Sequence, residues 1–451
     1  MEKTSTTTRI DAMSNAMSNA MSAIELAKAL PTPIFDNASA LDALFFNTLD
    51  QHGNGFHVVV AKTAFRIGAR DASGYASLAA MEPAQPLATE DQHFEDNFRH
   101  STLQESDLAP YKPKCDVLVV ADAHAPGDRS VGQFAVQLLV QGQANQANER
   151  ELLIIKHLHI FGPRQFEYQH GAWQLSAPHA ITHLPLRYEY AAGGACMVLP
   201  SDAAASRVPA SERLPEPHAE TGAIAWQVAQ TNPVGMGFCP HWYAKASHMQ
   251  SVPAPQIAYP QAPFDLAAFE RSLQGAAMPA PAGFGPIGRA WLPRRALVGS
   301  VAEPTAPQPD DVPGLPPDFD FAYWNASPSD QQCRHLTGGE SIRLVNCCPL
   351  HHPASHVDGH GNHIIDIELP QAAMVLLLAT DNEQFRIETL VIDTLWLNVH
   401  EQRLELSWRI ALPINTNADA SISSMRLLHV QQPDQLERLA QLQHLASAKV
   451  M

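Results

Sequence analysis

The sequence predicts a mainly β fold: antiparallel, sandwich-like sheets with long Pro/Gly-rich loops and few short helices. Three observations point there. Short β-branched runs recur at close intervals with no helix-period segment between them, which favours antiparallel pairing over βαβ crossovers. The 36 Pro and 24 Gly among 451 residues exceed what a helical bundle tolerates. A hydrophobic content of 45% supplies a sizeable core.

Residues 1–29 open with Ser and Thr and then repeat AMSN-AMSN-AMS from Ala12 to Ser22. Their apolar content is low, so a flexible tail is expected. Residues 30–200, starting at Pro31 and Pro33, form an N-terminal β-rich part. His57–Ile67 (HVVVAKTAFRI) follows the Gly53–Gly55 turn and reads as a strand, as do Cys115–Ala123, Gln133–Val140 and Glu151–Phe161. Phe166–Tyr168 and Ala172–Leu175 flank His170-Gly171 as a small hairpin. Residues 201–337 change to Ala, Pro and polar texture, with a short helix at Asp265–Leu273, and read as an excursion packed on the sheets. Residues 338–432 return to strands at Ser341–Asn346, His363–Leu369 and Met374–Leu378. Asp393–Val399 and Arg403–Ile410 form a hairpin that offers Trp396 and Trp408 as packing anchors. Residues 433–451 place Leu436, Leu439, Leu442 and Leu445 on one face of a C-terminal helix.

Charge narrows the partners. With 29 Lys and Arg against 46 Asp and Glu, the formal charge is −17, which disfavours nucleic acid or an anionic membrane and suits a basic partner. Six Cys, of which only Cys347 and Cys348 are close in sequence, make no disulfide framework and point to a reducing compartment. Glu2 and Asp11 interrupt the start, no apolar leader follows, and the longest apolar stretch is Ala372–Ala379, too short to span a bilayer. A cytoplasmic location is expected.

Several clusters carry residue types and spacings that chemistry could use. Gly283, Gly285 and Gly288 match G-x-G-x-x-G, but Pro281, Pro286 and Pro293 deny it a strand before and a helix after, so a structural loop is favoured. His351, His352, His356, His360 and His363 crowd behind Cys347 and Cys348 and include zinc-ligand types. No regular C-x-x-C or H-E-x-x-H pattern accompanies them, so a polar surface loop is preferred over a metal site. His157 and His159 share a strand face, expected to be solvated. Asp318 and Asp320 could act as paired carboxylates, but beside Pro316 and Pro317 they read as turn caps. Nucleophile-elbow, phosphate-loop and deaminase patterns do not occur in the sequence.

An ordered series of strings then carries a resemblance. VVVAKTAF at Val58–Phe65, DLAPYKP at Asp107–Pro113 running into Asp116–Ala121, and PLRYEYAAGG at Pro185–Gly194 come first. NPVGMGF at Asn232–Phe238, PAGFGPIGRAWLPR at Pro281–Arg294 and PDFDFAYWNASPSDQQ at Pro317–Gln332 follow. GGESIRL at Gly338–Leu344 and the Asp393-Thr394 and Trp408-Arg409 pairs close the series. Over about residues 31–412 this order resembles the DUF2169 family, found beside type VI secretion effector genes in Gram-negative bacteria. The chain departs from it with YEYAAGG at Tyr188–Gly194 in place of a YERAFGG-like string, with VGSVAEP in place of a GTYD-like continuation, and with a private insert at Cys347–Asn362.

The resemblance implies a cytoplasmic accessory protein that binds a toxin effector, often one with a PAAR-type tip, and stabilises it before loading onto the secretion spike. It implies no catalytic residues and no cofactor. The expected reading is therefore a non-enzymatic chaperone or adaptor whose client docks on sheet edges or on the Pro281–Gln332 surface. Trp291, Arg294, Tyr323 and Trp324 are its candidate anchors, or else core. The rival readings are a metal-dependent hydrolase or carbohydrate-active enzyme using the His-rich loop or Asp318 and Asp320, and a lectin-like β module.

Overall fold

The computed structural model describes residues 32–300, 315–381, 385–414 and 421–432, with single positions at 434, 435, 438 and 441. The expected N-terminal tail over 1–29 lies outside the described residues, as does the C-terminal helix over 433–451 apart from those positions. The fold is mainly β. Its principal strands are β1 (Ile34–Asn37), β2 (Ala43–Leu49), β3 (Gly55–Arg70), β4 (Ala76–Ala80), β5 (Cys115–Val120), β6 (Gln133–Ala144) and β7 (Arg150–Phe161). After the excursion come β8 (Ser341–Val345), β9 (His363–Glu368), β10 (Ala373–Thr380), β11 (Phe385–Asn398), β12 (Arg403–Pro413) and β13 (Ile422–Val430).

The main sheet runs β1-β13-β10-β11-β12-β3-β2, with β4 on β3 and β5 on β11. Most pairs are antiparallel, but β1–β13 and β5–β11 are parallel. Both parallel pairs join segments far apart in sequence, which meets the need of a parallel pair for a long crossover. β1 and β2 stand at opposite ends of this order yet are joined by residues 38–42 alone, so the sheet curls until its ends approach. The Phe35 and Phe45 ring centres lie 5.9 Å apart across that seam. The second sheet runs Ile257–Ala258, β7, β6, β8, β9, Ser355–Val357.

One apolar cluster fills the space between the sheets. Val59, Ala61 and Phe65 from β3, Val117 and Val119 from β5, and Leu404, Leu406 and Trp408 from β12 meet Leu138, Leu158, Leu344 and Ile367 of the second sheet. Each such side chain contributes about 1.5–3 kcal/mol by leaving water. Alternation along β3 explains the choice: Val59, Ala61, Thr63 and Phe65 face this core, while Val58, Val60, Lys62 and Ala64 face the other way. Both faces are nevertheless buried, because residues 81–114 lie across the second face. Trp396 Nε1 donates to the Leu103 carbonyl at 3.1 Å, and the Met81 amide donates to the Ala64 carbonyl at 2.9 Å.

The hairpin at Gln165–Gln169 and Ala172–Leu175 turns on His170 and Gly171, both with positive φ. The excursion builds small cores of its own. Phe166 stacks on Phe269 with ring centres 4.0 Å apart, and α1 (Leu266–Leu273) begins at Asp265, whose carboxylate accepts the Ala268 amide at 2.9 Å. The strings YEYAAGG and NPVGMGF belong together: Ala192-Gly193 pairs with Met236-Gly237, and Asn232 Nδ2 donates to the Tyr188 and Ala192 carbonyls.

Candidate functional site

The charged residues of the motif strings converge on the second face of the main sheet. Register aligns Lys62 of β3 with Ser407 of β12, Ser407 with Thr394 of β11, and Thr394 with Asp116 of β5. These four side chains form one polar row across four strands, flanked by Arg409 on one side and by Glu405, Trp396 and Leu118 on the other. A run of alternate residues in strands buried on both faces places them there. The chain between β4 and β5 then closes over them with Gln104, Glu105, Asp107 and Lys112.

Nearly every donor in the row meets an acceptor. Lys62 Nζ lies 2.6 Å from Asp107 Oδ2 and 3.0 Å from Glu405 Oε2. Asp107 also accepts Ser407 Oγ at 2.6 Å and the Ala88 amide at 2.7 Å. Gln104 Nε2 donates to Glu405 at 2.7 Å. Lys112 Nζ donates to Asp116 and to Thr394, each at 2.8 Å. Arg409 pairs with Asp393 and donates to the Ala109 carbonyl. Asp116, fully buried, accepts from Lys112, Asn325 Nδ2, the Ala326 amide, and both the amide and the hydroxyl of Ser327. The cavity left among these groups is about 20 Å³, roughly the room of one water molecule.

Electrostatics follow from this pairing. Burial pushes the Asp116 carboxyl up, but the Lys112 charge and the donors from Ala326 and Ser327 outweigh it and hold the group below the ordinary carboxylate range. Burial pulls Lys62 and Lys112 down, and the carboxylates of Asp107 and Glu405 for one, Asp116 and Asp393 for the other, raise both above the ordinary lysine value. Lys156 on β7 behaves differently. It is buried under the rings of Tyr259 and Phe284, with Asp330 Oδ1 at 2.8 Å and Gln331 Oε1 at 2.6 Å. Asp330 is 42% exposed, so desolvation dominates and Lys156 is lowered to about 8.

The Pro281–Arg294 loop is interior. Gln331 Nε2 donates to the carbonyls of Val117 and Phe284, and Tyr188 donates to the Gly285 carbonyl at 2.8 Å. A Cβ on Gly283 would strike the Tyr188 ring, and one on Gly288 would lie 2.7 Å from Trp291 Nε1. Gly283 and Gly288 therefore serve close packing, and the loop has neither a strand before it nor a Rossmann helix after it.

Two of the expected partner anchors are corrected by burial. Trp291 is 7% exposed and packs edge-on against Tyr188. Arg294 is 3% exposed, forks onto Glu105 and donates to the Tyr323 and Ile287 carbonyls. Neither can grip a partner from that position. Tyr323 and Trp324 are half-buried within a ring cluster that includes Phe319. Asp320 caps the turn at Phe321–Trp324, and Asp318 accepts the Ser300 amide and hydroxyl. His157 and His159 face solvent.

The five clustered histidines do not converge. His351 and His360 are exposed, His352 Nδ1 accepts the Ala354 amide, His356 stands 4.0 Å from Asp366, and His363 bonds the Cys348 carbonyl. Part of the insert is a strand, Ser355–Val357, on the edge of the second sheet. Among the described residues no group of three or more His, Cys, Asp or Glu is placed to hold a metal ion. Histidines that do meet come from elsewhere: the rings of His124 and His183 stack at 5.9 Å, and His400 lies 3.4 Å from Asp122.

Sequence reasoning passed over the polar row, although a signal existed. Asp116, Glu405 and Arg409 each stand between two apolar neighbours in a strand, and Lys62 ends the apolar run Val58–Ala61, a pattern that demands buried partners. It also passed over a surface hollow of about 280 Å³ at the end of β2, lined by Leu49, Phe56, Pro110, Tyr111, Phe321 and Ala411. Tyr111 is 43% exposed there and meets Phe321 edge-on.

No helix among the described residues is long and apolar enough to cross a membrane. No curated protein and no solved structure matches the chain. The model of a family described as an uncharacterized protein conserved in bacteria (DUF2169) matches residues 52–409. That span takes in well over half the chain and the whole polar row from Lys62 to Arg409, and the chain belongs to the DUF2169 family.

Proposed function

We propose that this chain is a non-enzymatic cytoplasmic adaptor that binds a type VI secretion toxin effector, of PAAR-type or similar kind, and keeps it competent for loading onto the spike. The reading rests on the likeness of its motif strings to that family, and the hollow beside β2 is the observation that carries it. β2 pairs with β3 alone among the described residues, and beyond Phe45, where β1 approaches it, its edge near Leu49 can accept an extended segment as a further strand. The hollow at its end, walled by Tyr111, Phe321 and Phe56, suits an apolar side chain of that segment. The charges of the motif strings support a scaffold role, because Lys62, Lys112, Arg294 and Arg409 all end on carboxylates of the same chain.

Co-expression with each of the proteins encoded by neighbouring genes, followed by affinity purification and light scattering, tests the proposal. A Tyr111→Ala/Phe321→Ala double variant should unfold at the same midpoint and lose the complex. Full capture by that variant would move the docking site elsewhere, and failure of every neighbouring toxin or spike protein to form a complex would end the adaptor reading.

A further inference from the structure

Arg164 differs from the other arginines withdrawn from solvent. Arg150, Arg187, Arg289, Arg294, Arg403 and Arg409 are buried or half-buried, and each meets a carboxylate of this chain at 3.2 Å or closer. Arg164, also half-buried, has no such partner among the described residues. Its guanidinium lies 3.8 Å from the centre of the Phe161 ring, and Nη2 donates to the Pro255 carbonyl at 3.2 Å. Nε is out of water with no acceptor. A half-buried guanidinium that no carboxylate of the described residues meets at hydrogen-bond distance keeps donors for an anion from outside.

Arg164 lines a cavity of about 290 Å³ beside the Gln165–Gln169 strand. Gln165, Ser176, His179 and Gln256 supply polar walls, and Met236 and Pro253 supply apolar ones. We propose that this cavity binds a single carboxylate group, held by the Arg164 fork against the Phe161 ring. One cation serves the cavity, and Glu167 also lines it, so a singly charged planar anion fits better than a doubly charged phosphate. The carboxylate can belong to a small organic acid or to the C-terminus of a peptide. The inference stands independently of the adaptor reading.

Thermal unfolding of the full chain tests it, because a ligand that binds only the folded state raises the midpoint by mass action. Sodium propionate is compared with propionamide, with sodium phosphate and with sodium chloride at equal ionic strength. A tetrapeptide with a free C-terminus is compared with its C-terminal amide. Propionate or the peptide acid should raise the midpoint in a saturable way, and the amides and chloride should not. Arg164→Gln should abolish the response, and Arg164→Lys, which keeps charge but not the fork, should weaken it about tenfold or more. A peptide acid at least about tenfold tighter than propionate assigns the site to chain termini, and equal strength assigns it to small acids. Acids and amides acting alike, phosphate acting more strongly than either acid, or an unchanged response in Arg164→Gln would overturn the proposal. If Arg164→Gln does not fold, the acid-against-amide comparison on the native chain decides alone.

Discussion

Lys62 and Glu405 form an ion pair at 3.0 Å across 343 residues of sequence, with both side chains buried. Asp107 closes the other side of the same ammonium at 2.6 Å. Two distant motif strings and strand β12 thus hold one another through a contact that water screens little.

Removing Lys62 should therefore destabilise the fold more than an ordinary surface change. Lys62→Met leaves Asp107 and Glu405 buried together, and a loss of about 3–5 kcal/mol is expected. Urea denaturation followed by tryptophan fluorescence measures it, and a loss under about 1 kcal/mol would show that the pair carries little.

Acid should unlock the row through Asp116. Its folded carboxyl titrates below its unfolded value, so its contribution is complete above about pH 4 and fades as pH falls through the folded value. Stability of the native chain should drop along that limb. In Asp116→Asn the plateau should be lower and this part of the slope missing. Identical slopes in the two proteins would contradict the assignment.

Lys156 should act with the opposite sign to Lys62. Its folded value is about 8, below the unfolded lysine near 10.4, so the unfolded chain holds more protons between the two. Stability should gain up to about 1.4 kcal/mol per pH unit across that window from this group alone. Lys156→Met should remove the gain. Lys62, with a raised value, contributes below the unfolded pKa and loses that contribution as pH climbs through the folded one.

The glycines of the 281–294 loop should differ in tolerance. Gly283→Ala and Gly288→Ala drive a methyl into Tyr188 and Trp291, and each should cost about 1–3 kcal/mol. Gly285→Ala should be nearly neutral, since its Cβ would rest 3.9 Å from Tyr188. Thermal midpoints of the three variants check this, and equal losses at all three positions would contradict the packing explanation.

Much of the secondary structure was legible in the sequence because strands of this kind carry their own period. β3, β6, β7 and β12 fall within a few residues of the expected ranges, β11 starts eight residues before the expected Asp393, and α1 lies within the expected Asp265–Leu273 helix. The candidate sites were less legible. Trp291 and Arg294 look like interface residues by type, yet Tyr188 and Glu105, from distant strings, bury them. The His-rich insert looks like a ligand set, yet pairing of Ser355–Val357 with β9 separates its members.

Composition and alternation alone determined a β-built protein with a large apolar core, since side-chain period and burial preference are local properties. Only the tertiary structure decided that Lys62, Asp107, Asp116, Asp393, Glu405 and Arg409 are partners. Partnership between charges depends on distance in space, and strand register across several hundred residues sets that distance. Among the described residues, the same register and curl leave β2 paired with β3 alone and with a hollow at its end, and the packing of the excursion leaves no carboxylate in an ion pair with Arg164.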